Sequence, residues 1–305
     1  MKTTSIGIAL VAASGNTRDD ALIERGVRRL EAMGHTVHNY FDTAQVFQRF
    51  GGTDEARLAQ LDAAAANPAV QVVMALRGSY GLTRLLPRID YQRMAASGKI
   101  FVGYSDFTAF NMALYAKTGA ISYAGPMFLP DFASAEPEPF TIDDFFGCLS
   151  GPTHRITQQA AGNPLIETGG TIWGGNLAMI MSLVGTPYFP QIEDGILFVE
   201  DVNEHPYRVE RMLLQLLQAG VLAKQKALVL GDFSAYKLAP NDNGYDFDAM
   251  LAYLRALLPI PVLCGLQYGH CRKLVTIPFG AQAQLRSDAS QFTLDLSAYP
   301  CLPHA

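Results

Sequence analysis

The sequence predicts an α/β protein whose first half alternates strands and helices and whose second half is richer in β structure. Two observations carry that reading. Short apolar runs such as Gln71–Leu76 and Ile100–Tyr104 alternate with helical stretches, which implies a mainly parallel sheet covered on both faces. From Ile260 onward, Ile260–Cys264, Leu274–Ile277, Gln282–Leu285 and Phe292–Leu296 instead follow one another as short strands. A chain of 305 residues has room for two cores, expected over 1–150 and 163–305 with 151–162 as a linker.

In order, Ser5–Ala13 reads as a buried strand, and Thr17–Met33 as a helix with Leu22, Ile23, Val27 and Leu30 on one face and Gly34 as its stop. Thr36–Tyr40 is a second strand. Thr53-Asp54-Glu55 opens a helix to Ala66, with acidic residues at its positive end. The strand Gln71–Leu76 runs into Arg77-Gly78-Ser79-Tyr80-Gly81, and helical residues follow from Leu82. Ile100–Tyr104 is a strand buried on both faces, followed by an apolar helix up to Gly119. Ile121–Tyr123 is another short strand. Composition loosens from Gly125 to Thr168, and Gly169–Asn176 reads as a glycine-rich loop around the single Trp before a helix Leu177–Val184. Gly195–Glu200 is a strand ending in a carboxylate, and Tyr207–Ala219 a helix with Pro206 where an early proline is tolerated. Ala227–Leu230 and the helix Asp248–Leu257 precede the closing strands.

Composition narrows the function. With 49% hydrophobic and 17% charged residues the chain is a compact globular protein. A formal charge of −5 without any Lys/Arg cluster argues against nucleic-acid binding. No apolar stretch reaches membrane-spanning length, and Met1–Ser5 leads into a strand with no signal-peptide pattern, so the expected compartment is the cytoplasm. The four cysteines, Cys148, Cys264, Cys271 and Cys301, form no C-x-x-C pair and are expected to be reduced. Cys264 with His270-Cys271 fits no common zinc spacing, and no metal site is expected there.

The chemistry-bearing residues fall at strand ends. Gly103-Tyr104-Ser105-Asp106 lies where a strand turns into a helix, as in a nucleophile elbow, although Phe107 stands where the second glycine of that pattern would be. The same residues also read as an ordinary helix start, with Ser105 as cap and Asp106 in the first turn. Glycines in the Arg77–Gly81 loop let backbone N–H groups face a ligand, and Arg77 suits a carboxylate, or the loop is a plain connection. Glu200 ends a strand and His270 follows Gly269 in a loop. A Ser…Glu…His order is one of those that build a nucleophile, base and orienting acid.

Five motifs in this order resemble the LD-carboxypeptidase (muramoyltetrapeptide carboxypeptidase) family of serine peptidases: Arg-Gly-Ser-Tyr-Gly at 77–81, Gly-Tyr-Ser-Asp at 103–106, Trp-Gly-Gly-Asn at 173–176, Glu-Asp-Val-Asn-Glu-His-Pro-Tyr-Arg at 200–208 and Gly-His at 269–270. The resemblance implies a flavodoxin-like or amidotransferase-like N-terminal domain with a β-rich α+β C-terminal domain. It makes Ser105 the nucleophile, His270 the base and Glu200 the orienting acid, with backbone N–H groups of Gly78 and Asp106 as the oxyanion hole. Asn176 and Glu204 are expected to contact substrate. Ser79 replaces a commoner glycine, and Cys271 a commoner polar residue. The implied activity is release of the terminal D-alanine from cytoplasmic murein tetrapeptides, without metal or cofactor, by a homodimer engaged in peptidoglycan recycling. Hydrolysis of peptidyl-nucleotide antibiotics, or ligand binding without catalysis, are the alternatives.

Overall fold

In a computed structural model of the chain, which describes residues 5–302, the first half forms β1 (Gly7–Val11), α1 (Asp20–Ala32), β2 (Thr36–Asn39), α2 (Asp54–Ala66), β3 (Val72–Ala75), α3 (Tyr91–Ala96), β4 (Ile100–Val102), α4 (Thr108–Thr118), β5 (Ser122–Ala124) and α5 (Pro139–Leu149). Local chemistry sets the helix ends. Asp19 caps α1 by accepting the Leu22 N–H at 2.9 Å, and Thr53 caps α2 through the Ala56 N–H. Gly119, at φ +72°, closes α4 in the left-handed conformation.

The second half contributes β6 (Thr153–Gln159), β7 (Ile166–Asn176), α6 (Leu177–Leu183), β8 (Gly195–Val202), α7 (Pro206–Gln218), β9 (Gln225–Ser234), α8 (Phe247–Leu257), β10 (Val262–Cys264), β11 (Ile277–Phe279), β12 (Gln282–Ser287) and β13 (Gln291–Ser297). Two sheets result. The first has six strands in the order β2-β1-β3-β4-β5-β11, parallel except for β11. Its parallel part has the doubly wound order that opens a binding crevice at the carboxyl ends between β1 and β3. The second has seven strands, parallel across β10-β9-β8-β7 and antiparallel across β7-β12-β13-β6. One continuous apolar core runs through both halves.

Three local expectations give way. Residues 151–162 are not an open linker, because Thr153–Gln159 is the edge strand β6, paired with β13. The short strand expected at Leu274–Ile277 lies further on, as β11, and it pairs with β5 across the boundary between the halves. The Gly169–Asn176 loop is most of β7. Its glycines mark close approach, since a Cβ on Gly170 would lie 2.0 Å from Asp194 O and one on Gly174 1.8 Å from Phe198 O. Trp173 is fully buried, and its indole N–H donates to Gln225 at 2.9 Å.

Candidate active site

At the end of β4 the chain turns through Tyr104 into Ser105, which adopts φ +58°, and then enters a single 3₁₀ turn that continues as α4. A non-glycine residue held at positive φ stores strain, and here it falls on a hydroxyl at the sheet's carboxyl edge. Gly103 makes the turn possible, because a Cβ there would meet Phe107 at 2.7 Å and Ala75 at 2.9 Å. Gly78 is seated against the hydroxyl from the loop after β3. A Cβ on it would stand 2.8 Å from both Cβ and Oγ of Ser105. Only glycine fits that close to the hydroxyl.

The Asp106 side chain braces the elbow from behind. Its Oδ2 accepts the Ser14 hydroxyl at 2.6 Å and the Leu82 N–H at 2.9 Å. Burial pushes this carboxyl's pKa up, opposed by those hydrogen bonds and by the charge of Arg57. Arg57, fully buried, donates to Ala13 O at 2.5 Å and Gly81 O at 2.9 Å and pairs with Asp54 at 2.6 Å. Asp106 and Arg57 thereby fasten the loop after β1 to the loop after β3, and Gly15 N–H to Gly78 O at 3.0 Å completes the tie.

Glu200 and His270 meet on the other side. Glu200 is fully buried on β8, and its Oε2 accepts from His270 Nδ1 at 2.9 Å. A bulge aims it. Val199 pairs with Leu230 and Asp201 with Phe233, so the pairing shifts at the carboxylate. Gly269, at φ +136°, lets the loop close over it, since a Cβ there would lie 3.0 Å from Glu200 Oε2. Burial alone would lower the His270 pKa. The Glu200 hydrogen bond and charge, helped by Asp201 and Asp232, outweigh burial and raise it above its usual value. With Nδ1 committed to the carboxylate, Nε2 is the nitrogen left for a reacting proton.

Ser105, Gly78 and His270 line one cleft of about 340 Å³, together with Arg77, Ser79 and Tyr104. Ser105 and His270 face this cleft with no hydrogen bond between hydroxyl and imidazole. Among the described residues no group of three or more His, Cys, Asp or Glu side chains could hold a metal ion, and no helix is long and apolar enough to cross a membrane.

Comparison with known proteins decides the family. Residues 8–125 match the LD-carboxypeptidase N-terminal domain and residues 169–285 the LD-carboxypeptidase C-terminal domain. The chain belongs to the LD-carboxypeptidase family. It is therefore a serine peptidase, a hydrolase with the two-domain α/β fold of that family. The crystal structure of muramoyltetrapeptide carboxypeptidase from Oxalobacter formigenes is 49% identical and superposes with a TM-score of 0.93, over 96% of this chain and 99% of that one. A probable murein peptide carboxypeptidase of Bacillus subtilis is 29% identical over 282 residues, 91% of this chain and 88% of its own length. The microcin C7 self-immunity protein MccF of Escherichia coli is 26% identical over 302 residues, 88% of this chain and 87% of its own.

In this LD-carboxypeptidase neither of the two expected substrate contacts, Asn176 and Glu204, is among the residues lining that cleft. Asn176 is 6% exposed, and its polar atoms are used internally. Its Nδ2 donates to Glu200 Oε1 at 3.2 Å and Asp201 Oδ1 at 3.0 Å, and its Oδ1 caps α6 through the Met179 N–H. Glu204 lies beyond β8, 3.4 Å from Arg208, and is not on the cleft wall. Ser79 adopts φ +78°, the region that favours the glycine it replaces. Sequence reasoning did not single out Arg57 or Asp131. Asp131 borders His270 from a second cleft, and burial pushes its pKa up to about 7. Nothing in the local pattern signalled either one, because Gly81 beside Arg57 and His270 near Asp131 lie more than 20 positions away along the chain.

Proposed function

We propose that this enzyme releases the terminal D-alanine from murein tetrapeptides, cutting between the L-centre of diaminopimelate and D-Ala, through a Ser105–His270–Glu200 triad. The observation that carries the reading is His270, held at 2.9 Å by buried Glu200, on the cleft that also holds Ser105 and Gly78. Ser105 Oγ attacks the scissile carbonyl while His270 Nε2 accepts its proton. Backbone N–H groups of Gly78 and Asp106 stabilise the oxyanion, and His270 then protonates the departing D-alanine amine. Water attacks the acyl-enzyme with His270 again as base, and the product acid leaves. Asn176 serves this scheme by holding the second oxygen of Glu200, as a positioning residue. Peptidoglycan recycling, a cytoplasmic location and a homodimer complete the proposal. The 49% identity to a muramoyltetrapeptide carboxypeptidase supports the tetrapeptide over a peptidyl nucleotide.

Mass spectrometry of murein tetrapeptide incubated with wild type and Ser105→Ala tests it. D-Alanine release by wild type alone is expected. Release by Ser105→Ala at the wild-type rate overturns the triad, and turnover of a peptidyl adenylate but not tetrapeptide transfers the enzyme to the immunity class.

A further inference from the structure

Two clefts of opposite charge meet at His270. The one with Ser105 has Arg77 as its only other ionisable wall apart from Tyr104. Its neighbour, about 580 Å³, shares Tyr104, Pro130 and His270 but sets Asp131, Glu136 and Glu138 against a single cation, Arg272. That cation is committed, 3.1 Å from Glu138 and 4.0 Å from Glu136. Arg77 is not. Among the described residues it has no carboxylate partner, and its one hydrogen bond within the protein runs from Nη1 to Asn16 O at 3.1 Å. In a chain with 28 acidic and 23 basic residues, an exposed guanidinium left unpaired beside the reacting hydroxyl is available to a ligand. Its planar fork suits a carboxylate, which it grips through two parallel hydrogen bonds.

We propose that Arg77 binds the α-carboxylate of the substrate's C-terminal residue and so restricts the enzyme to the last peptide bond. This rests on the reading of D-alanine release given above. Arg77 and Gly78 are consecutive, so one loop delivers both contacts: the Gly78 N–H to the scissile carbonyl oxygen, the Arg77 side chain to the terminal carboxylate. In the substrate only an amide nitrogen and an α-carbon separate those groups, which suits neighbouring donors. The acidic cleft repels a carboxylate, so the leaving D-alanine lies on the Arg77 side of the imidazole. An internal peptide bond offers an amide there, and the guanidinium gains no charged partner from it.

The test is a cycle of enzyme and substrate changes. Wild type, Arg77→Met and Arg77→Lys are assayed on the tetrapeptide and on its C-terminal carboxamide, with D-alanine or D-alaninamide release followed by mass spectrometry. Wild type should prefer the acid by roughly a hundredfold in kcat/KM, the scale of a charged hydrogen-bonded contact. Arg77→Met should lose that preference by slowing on the acid alone, and Arg77→Lys should recover part of it. Thermal unfolding of both variants should match wild type, since the side chain is exposed. Arg77→Met that keeps the wild-type preference, or slows equally on acid and amide, overturns the assignment while the D-alanine reading stands. A wild type that releases D-alanine from neither substrate overturns both.

Discussion

Replacing Glu200 by Gln isolates one charge in the proposed machinery. The variant should fold, because Gln keeps an oxygen for Asn176 Nδ2 and removes a charge that helps push the neighbouring Asp201 pKa up to about 6, after burial itself. What is lost is the charge-assisted bond to His270 Nδ1, now 2.9 Å long. Such bonds contribute about 1.5–3 kcal/mol, which at 1.36 kcal/mol per decade is roughly 10- to 200-fold in rate. If Gln also presents its amide N–H₂ and selects the wrong imidazole tautomer, the loss reaches about 10⁴-fold. The pH profile separates this effect from a structural one. With Glu200 ionised, the imidazole pKa is raised, so the acidic limb of kcat/KM lies above about pH 6.5. In Glu200→Gln burial is opposed only by Asp201 and Asp232, and the limb should move to lower pH. The assay is D-alanine release from tetrapeptide between pH 5 and 9, with urea unfolding in parallel. A variant within threefold of wild type, with an unmoved limb, would refute the reasoning.

Other outcomes follow from the same contacts. Ser79→Gly relieves a residue at φ +78° and should raise stability by about 0.5–1 kcal/mol in thermal unfolding, leaving activity unchanged because the proposed oxyanion donor next to it is backbone. Ser14→Ala removes a 2.6 Å donor from buried Asp106 and should cost about 1–3 kcal/mol in urea unfolding, with a drop in kcat as the elbow loosens. His270, whose folded pKa is raised, adds stability that is complete below its unfolded pKa of about 6.5 and fades as pH climbs through the folded value. Wild-type urea midpoints should therefore lose that increment on the alkaline side, and His270→Ala should remove that increment while the buried carboxyls keep theirs.

Much of the first half was legible because its signals are local. Apolar runs placed β1, β3 and β4, and the Gly34 stop and the acidic Thr53-Asp54-Glu55 start placed α1 and α2 within a few residues. Ser105, Glu200 and His270 stood out for the same reason, each at the exit of a readable strand. The strand β7 was hidden because its glycines serve neighbours distant in sequence. Gly174 admits the Phe198 carbonyl and Gly175 admits Thr108 of α4, and neither contact leaves a mark on the local pattern. β6 was missed and β11 was read a few residues early; their places are set by pairing with β13 and β5, more than 100 residues away.

By itself, the order of side chains determined the class of fold, the family and which hydroxyl, carboxylate and imidazole to watch. That much is set by period, punctuation and motif, which are properties of neighbouring residues. Tertiary structure alone decided that Asn176 braces Glu200, that a bulge in β8 aims the carboxylate, and that Arg77 remains unpaired beside Ser105. Pairing, burial and the charge left over depend on which distant strands come to lie side by side, and no local stretch of chain encodes that on its own.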